Sequence, residues 1–407
     1  MNKIYLVSAI LFSHFAFAQV NIVSTKSDND IKLSALPYYS YGSGLGITSP
    51  DSLFKLNIRF RMQNRITYYD NEGANPAYDG QIRRLRLRFD GYVGSPKFLY
   101  AIQLSFAPGD VGEIEEGENI NIIRDAVIFY RPNKNWNIGF GQTKLPGNRQ
   151  RVNSSGALQL TDRTINNARF TIDRDFGIQV HNINEYLDRF SYNIKTAIST
   201  GEGRNVTDSA DDGIALTGKL ELFPFGAFTK DGTNFEGDLV REKTPKVMLS
   251  GGFQQNNNAR RTQGQLGDEL FETRTMQSVF LDAMFKYKGF AAMSAYMSRN
   301  TSENAVTFNP EDNAESNFVY TGSGFDYQMS YLFASDYEIA GRYSTQKIGE
   351  DIRMFVPDQK QYSIGLTKYI REHAFKVQLE VTRDDFSYFD GRTKENYYCR
   401  FQVEIGI

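Results

Sequence analysis

One cysteine, one tryptophan and three histidines are spread over 407 residues. A single thiol, Cys399, excludes an internal disulfide framework. His14 falls in the leader described below, so a Ser/His/Asp or Cys/His site would have to use His181 or His373. Each stands alone at a strand end, where a rim residue is the ordinary reading, and barrel phospholipases and proteases are the weaker class. Beyond the leader, no apolar run reaches the roughly 18 residues that a membrane-crossing helix needs. Neither sign of charge is in excess, with 46 Lys and Arg against 48 Asp and Glu, so any preference for charged partners has to come from where the charges sit. Proline is scarce, at 11 residues, and no linker divides a length that in a soluble protein would suggest two or three domains.

Residues 1–18 carry Lys3, an apolar stretch over 4–15 and the small-x-small sequence Ala16, Phe17, Ala18 ahead of Gln19. That pattern reads as a signal peptide cleaved after Ala18. No cysteine follows to carry an acyl anchor, so export leaves the periplasm, the outer membrane or the medium. What the chain has in abundance is aromatic side chains, 31 Phe and 24 Tyr, at a mean hydropathy of -0.47. Aromatic girdles around a wet interior would show this combination.

The organising stretch is 82–93. Arg84, Arg86, Arg88, Asp90 and Tyr92 alternate there with Leu85, Leu87, Phe89, Gly91 and Val93, a period of two that only an extended strand produces. Upstream, Phe54, Leu56, Ile58, Phe60, Met62 and Ile66 alternate with Lys55, Asn57, Arg59, Arg61, Gln63 and Arg65. Two neighbouring strands thus share one basic face. The apolar faces of these and many similar strands exceed what the few other segments could cover, whereas a bilayer covers them all. The expected fold is all-β, a transmembrane antiparallel β-barrel of about sixteen strands. They lie near 54–68, 82–93, 98–106, 122–130, 136–142, 170–180, 190–198, 214–222, 247–253, 279–287, 290–297, 325–333, 337–343, 362–366, 375–381 and 397–407. Short periplasmic turns alternate with longer external loops, 223–244 being the one long stretch on the short-turn side. Residues 19–52 form an N-terminal lead-in, and 53–407 the outer-membrane barrel. In the last strand Tyr397, Cys399, Phe401, Val403, Ile405 and Ile407 make one apolar face, of the kind barrel-insertion machinery reads.

An Arg or Lys on the lipid face near the midplane costs roughly 2–4 kcal/mol. Lys55, Arg59, Arg61, Arg65, Arg84, Arg86 and Arg88 are therefore expected to line the lumen. The segment at about 144–169 lacks strand period and reads as a loop folded into the lumen. It brings Lys144, Arg149, Arg151, Arg163 and Arg169 against a lone Asp162. A constriction basic on both sides would favour anions, because guanidinium groups bind phosphate and carboxylate oxygens bidentately. The competing reading pairs these arginines with inward carboxylates such as Asp90, Asp125, Asp282, Glu338 and Glu380.

Several stretches resemble the phosphate-selective porin O and P family: GITSPDSLFKL from Gly46, RRLRLRFDGYV from Arg83, GFGQTKLP from Gly139, GFDYQMSY from Gly324 and AGRY from Ala340. The resemblance spans almost the whole chain after the leader. It implies a trimeric, sixteen-stranded outer-membrane channel for phosphate or polyphosphate, with the basic second strand and the GQTK-LP entry to the inward loop matching the family pattern. A general, weakly selective porin and a structural or adhesive barrel of little conductance are the alternatives.

Asp110, Glu113, Glu115, Glu116 and Glu118 fall in an expected external loop. They could hold Ca2+ or bridge lipopolysaccharide, although such a run is ordinarily a solvated loop. Asp208, Asp211 and Asp212 resemble a calcium loop only faintly. No cofactor is expected, and an exported barrel with an inward ladder argues against nucleic acid. The expected partners are inorganic anions, outer-membrane lipid and further copies of the chain.

Overall fold

The structure, a computed structural model, describes residues 44–111, 121–206, 213–312 and 314–407. Sixteen strands pair antiparallel in chain order: β1 (Phe54–Asn71), β2 (Ala77–Val93), β3 (Ser95–Ser105), β4 (Ile123–Tyr130), β5 (Trp136–Lys144), β6 (Arg174–Asn184), β7 (Ser191–Ser199), β8 (Ala215–Phe223), β9 (Lys246–Arg261), β10 (Glu269–Tyr287), β11 (Phe290–Thr301), β12 (Gly322–Leu332), β13 (Tyr337–Ile348), β14 (Asp358–Arg371), β15 (Phe375–Ser387) and β16 (Thr393–Gly406). β16 closes on β1 from Asn396 opposite Asn71 to Gly406 opposite Arg61. Closure removes the unpaired edges that an open sheet would expose to lipid.

Every strand turns alternate residues to opposite faces. On β12, Phe325, Tyr327, Met329 and Tyr331 are exposed outward while Asp326, Gln328 and Ser330 are buried within. The outward band ends in aromatic belts. Phe98 stacks on Tyr130 at 5.1 Å and Tyr331 meets Phe333 at 5.1 Å toward the short turns, and Tyr68 meets Tyr78 at 5.0 Å toward the long loops. Rings with one polar edge suit the headgroup level.

The strands differ from the sequence expectation chiefly at their ends. β10 begins at Glu269 and β14 runs from Asp358 to Arg371, both longer than their apolar stretches because polar residues continue the pairing beyond the lipid band. β6 begins at Arg174 instead of near 170, because Ile165–Phe170 is a short helix capped by the Thr164 side chain. Leu45–Thr48, expected as lead-in, is a strand paired with residues 55–58 of β1, beside the stretch that β16 leaves uncovered. Between β11 and β12 a small hairpin, Val306–Phe308 with Ser316–Phe318, covers an apolar cluster that includes Met276, Val319, Ile348 and Ile352. The leader, most of the lead-in, Glu113, Glu115, Glu116, Glu118, Asp208, Asp211 and Asp212 lie outside the described residues.

Candidate functional site

β1 and β2 set the register of the basic wall. Gln63 stands opposite Arg84, Arg61 opposite Arg86, Arg59 opposite Arg88 and Asn57 opposite Asp90. Successive rungs are two residues apart, roughly 7 Å along the strands. Like charges directly opposite one another repel, and each rung has its own relief. Asp90 takes Arg59 at 3.5 Å and Arg88 at 3.0 Å. Asp110 takes Arg86 at 2.7 Å and Arg124 at 2.9 Å. Glu404 of β16 lies 3.8 Å from Arg61. Lys55 continues the face, half-buried, toward the short-turn end.

A bulge adds a residue to this wall. Pairing slips between Gln63/Arg84 and Asn64/Ile82, so Arg83 is the extra residue. Such a slip lets consecutive side chains reach one region. Arg83 and Arg84 lie 2.9 Å and 3.7 Å from Asp162. Strict alternation starting at Arg84 had left Arg83 out.

Residues 145–173 leave β5 and cross the lumen. Arg149 pairs with Glu221 of β8, and its backbone N–H donates to Asp282 of β10 at 3.0 Å. Ser154 and Ser155 accept from Arg61 at 3.2 Å and 2.6 Å, and Ser155 also from Arg86 at 3.1 Å. Thr161 donates to Glu380 of β15, Thr164 and Asn166 to Asp326 of β12, and Arg299 of β11 donates to the carbonyls of Arg169 and Thr171. A loop tied to walls on opposite sides of the barrel spans its interior.

These contacts revise the expectation that the loop presents a second free basic side. Lys144 donates to the carbonyls of Val152 and Asn153, Arg151 pairs with Asp173 at 2.5 Å, and Arg163 donates to the carbonyls of Gln150 and Asn153. Together with Arg149, the loop-region cations fold and anchor the loop. The pairing reading holds in part as well. Asp125 binds Arg174, Asp282 binds Lys219, Glu380 lies 3.9 Å from Arg342, and Glu338 is held by Tyr369, Ser330 and Gln159.

Asp110 is not a solvated loop residue. It sits among Arg86, Arg124 and the Ser105 hydroxyl; burial alone would raise its carboxyl, yet Arg86 and Arg124 hold it well below the usual range. His181, on an inward position of β6, and His373, in the turn between β14 and β15, are both buried. His181 meets Gln179 at 3.1 Å, and His373 packs between the rings of Phe235 and Tyr369. Among the described residues no group of three acidic, His or Cys side chains is placed to hold a metal.

Residues 224–245, on the short-turn side, also enter the lumen. Phe228 packs on Phe223, Met248 and Met284. Lys286 of β10 donates to the carbonyls of Gly232, Phe235 and Gly237 at 2.7, 2.7 and 2.6 Å, with its ammonium 4.1 Å from the Phe235 ring. Glu236 then accepts from Gln150 and the backbone of Gln159 in the loop and from Gln328 of β12. Loop and insertion brace one another against the side of the barrel that carries Asp326, Glu338 and Glu380.

The basic wall remains lined by water-sized space. A cavity of about 70 Å³, room for several waters, lies among Arg59, Arg61, Arg86, Arg88, Lys144, Arg174, Ser154, Ser155 and Glu404. Those six cations, with Arg124 and Arg151, make eight against the five carboxylates Asp90, Asp110, Asp125, Asp173 and Glu404. Arg124 and Arg174 escaped the sequence reading because strict alternation gives them the parity of outward residues, of Ile128 for Arg124 and of Phe176 and Ile178 for Arg174; Arg124 is the extra residue of a bulge opposite Gln103 and Leu104, and Arg174 is the first residue of β6.

The model of the family described as phosphate-selective porin O and P matches residues 54–224. No curated protein sequence matches the chain. Among solved structures, the outer membrane channel DcaP of Acinetobacter baumannii has a TM-score of 0.54 at 13% identity, over 89% of this chain and 99% of that one. Salmonella typhi OmpF, solved with daunomycin, gives 0.56 at 13% identity over 89% and 100%. An anion-selective porin from Comamonas acidovorans gives 0.53 at 10% identity over 87% and 100%. At such identities the likeness is one of fold. Residues 54–224 are thus similar to the phosphate-selective porin O and P family, and the described residues form a closed sixteen-stranded barrel with a loop across its lumen, the fold of these solved porins.

Proposed function

We propose that the chain forms a passive, water-filled channel through the bacterial outer membrane that favours anions, inorganic phosphate or polyphosphate first. The observation that carries this reading is the set of rungs Arg61–Arg86 and Arg59–Arg88, facing the Ser154 and Ser155 hydroxyls of the inward loop. An oxyanion there would take bidentate hydrogen bonds from guanidinium groups and donation from hydroxyls, and neighbouring rungs offer further steps. Arg65 and Arg84 extend the path toward the long loops and Lys55 toward the short turns. Lys144, Arg149, Arg151 and Arg163 serve it indirectly, by fixing the loop.

The carboxylates inside the wall favour a second reading, a general porin of weak selectivity, since Asp90, Asp110 and Asp125 neutralise part of the ladder. Purified protein in a planar bilayer separates the two. Under a potassium chloride gradient the proposal expects a reversal potential of the sign set by chloride and a chloride current reduced by added phosphate. A reversal potential near zero would favour the general porin, and absence of current a structural or adhesive barrel. The family resemblance further supports a homotrimer, delivery by the signal peptide at 1–18 and insertion read from the outward face of β16, where Tyr397, Phe401, Ile405 and Ile407 are exposed. No catalytic step is assigned.

A further inference from the structure

Toward the long-loop end of the arginine rungs, the tip of the inward loop places one carboxylate in a basket of guanidinium groups. Asp162 lies 2.6 Å from Arg65, 2.9 Å from Arg83, 3.5 Å from Arg400 and 3.7 Å from Arg84, and its carbonyl accepts from Arg342 at 2.9 Å. Four cations surround a single negative charge, an excess of three. The Asp162 side chain keeps 23% of its surface exposed, so the basket opens to the lumen. Two donors in it, Nε of Arg84 and Nε of Arg400, are buried without a hydrogen-bond partner among the described residues. Capacity for an anion therefore remains after Asp162 has taken its share.

Carboxylate and phosphate oxygens are alternative ligands for the same guanidinium fork. We propose that the basket is an oxyanion station of the channel whose resident ligand is the chain's own Asp162, which competes with a passing phosphate-class anion and limits its dwell time. A conducting site must bind well enough to admit an ion and weakly enough to release it. Four guanidinium groups without an internal anion would be a trap, and Asp162 turns the trap into a step. The inference rests on the anion-channel reading.

The test uses the full-length protein in planar bilayers, with chloride carrying the current and inorganic phosphate as the blocker. Asp162→Asn is expected to lower the phosphate concentration that halves the current at least tenfold, and Asp162→Glu to stay close to wild type. An unchanged half-blocking concentration in Asp162→Asn overturns the proposal. So does a rise in conductance without stronger block, which would make Asp162 a pin for the loop and no more. If Asp162→Asn does not insert, Arg400→Gln is measured instead; it is expected to raise the half-blocking concentration severalfold, and no change overturns the proposal equally. Failure of the parent reading shows differently, as a wild-type channel without anion preference.

Discussion

Arg61 and Arg86 face each other across two hydrogen-bonded strands, an arrangement that destabilises a sheet unless something else meets the charge. Here Asp110, Glu404 and two serine hydroxyls do so, and the wall keeps an excess of positive charge. Two carboxylates at the basic wall, Asp162 on the loop and Asp110 beside it, are robust toward acid. Although burial opposes it, Arg65, Arg83 and Arg84 keep Asp162 well below the usual carboxylate range, as Arg86 and Arg124 do for Asp110. Depressed folded values mean that the stability these groups confer is complete above about pH 4, the unfolded carboxylate value. It is lost only as pH falls further through the folded values. The charges of Asp162 and Asp110 should accordingly stay fixed between pH 8 and about 4.5, so anion preference, measured as reversal potential, is expected not to fall over that range; a drop between pH 7 and 5 would contradict this assignment. Lys286 provides a second residue-scale prediction. Lys286→Met leaves three carbonyls of the insertion without their donor, at about 1–3 kcal/mol for each buried acceptor left unsatisfied, and protease cleavage within 224–245 should speed up while the barrel stays folded.

At the scale of elements, the inward loop and the insertion form one brace. The loop lies tight against β12 at Gly324, where an added Cβ would overlap the Asn166 side chain. Gly324→Ala is thus expected to displace Asn166 from Asp326 and from the carbonyls of Phe325 and Thr345, producing noisier and larger single-channel currents from a barrel of unchanged strand content by circular dichroism. Replacing 224–245 by a tight turn should raise single-channel conductance severalfold, since Glu236 no longer ties the loop and the insertion no longer fills its half of the lumen. The path of both elements was hard to foresee. Residues 144–173 carry five cations whether these line a pore or hold carbonyls, and only the folded chain shows Lys144, Arg151 and Arg163 turned onto the loop itself. In 224–245 no periodicity marks an inward course; its anchor, Lys286, is a charged residue at an inward position of a distant strand.

For the whole molecule, period-two alternation made the barrel, its strand number and the direction of the arginines legible, because a one-residue slip would put every charge into lipid. Arg83 was not legible, since a bulge exists only in the pairing of two strands. Nor was Asp110, a loop residue whose partners lie across the wall. The barrel is also uneven in height. β4, β5, β7 and β8 have 8 or 9 residues, while β1, β2, β9 and β10 have 16 to 19. A low wall of about the minimum spanning length fits shielding by neighbouring copies, so mass measurement in mild detergent is expected to give three chains per particle, and a monomer would remove that support. The central claim is that guanidinium groups on β1 and β2 select the charge that passes. Reversing two of them, Arg86→Glu with Arg88→Glu, and measuring the reversal potential in a potassium chloride gradient tests it most directly. The account predicts that anion preference disappears or inverts; a double variant that inserts, conducts and keeps the wild-type reversal potential would contradict it.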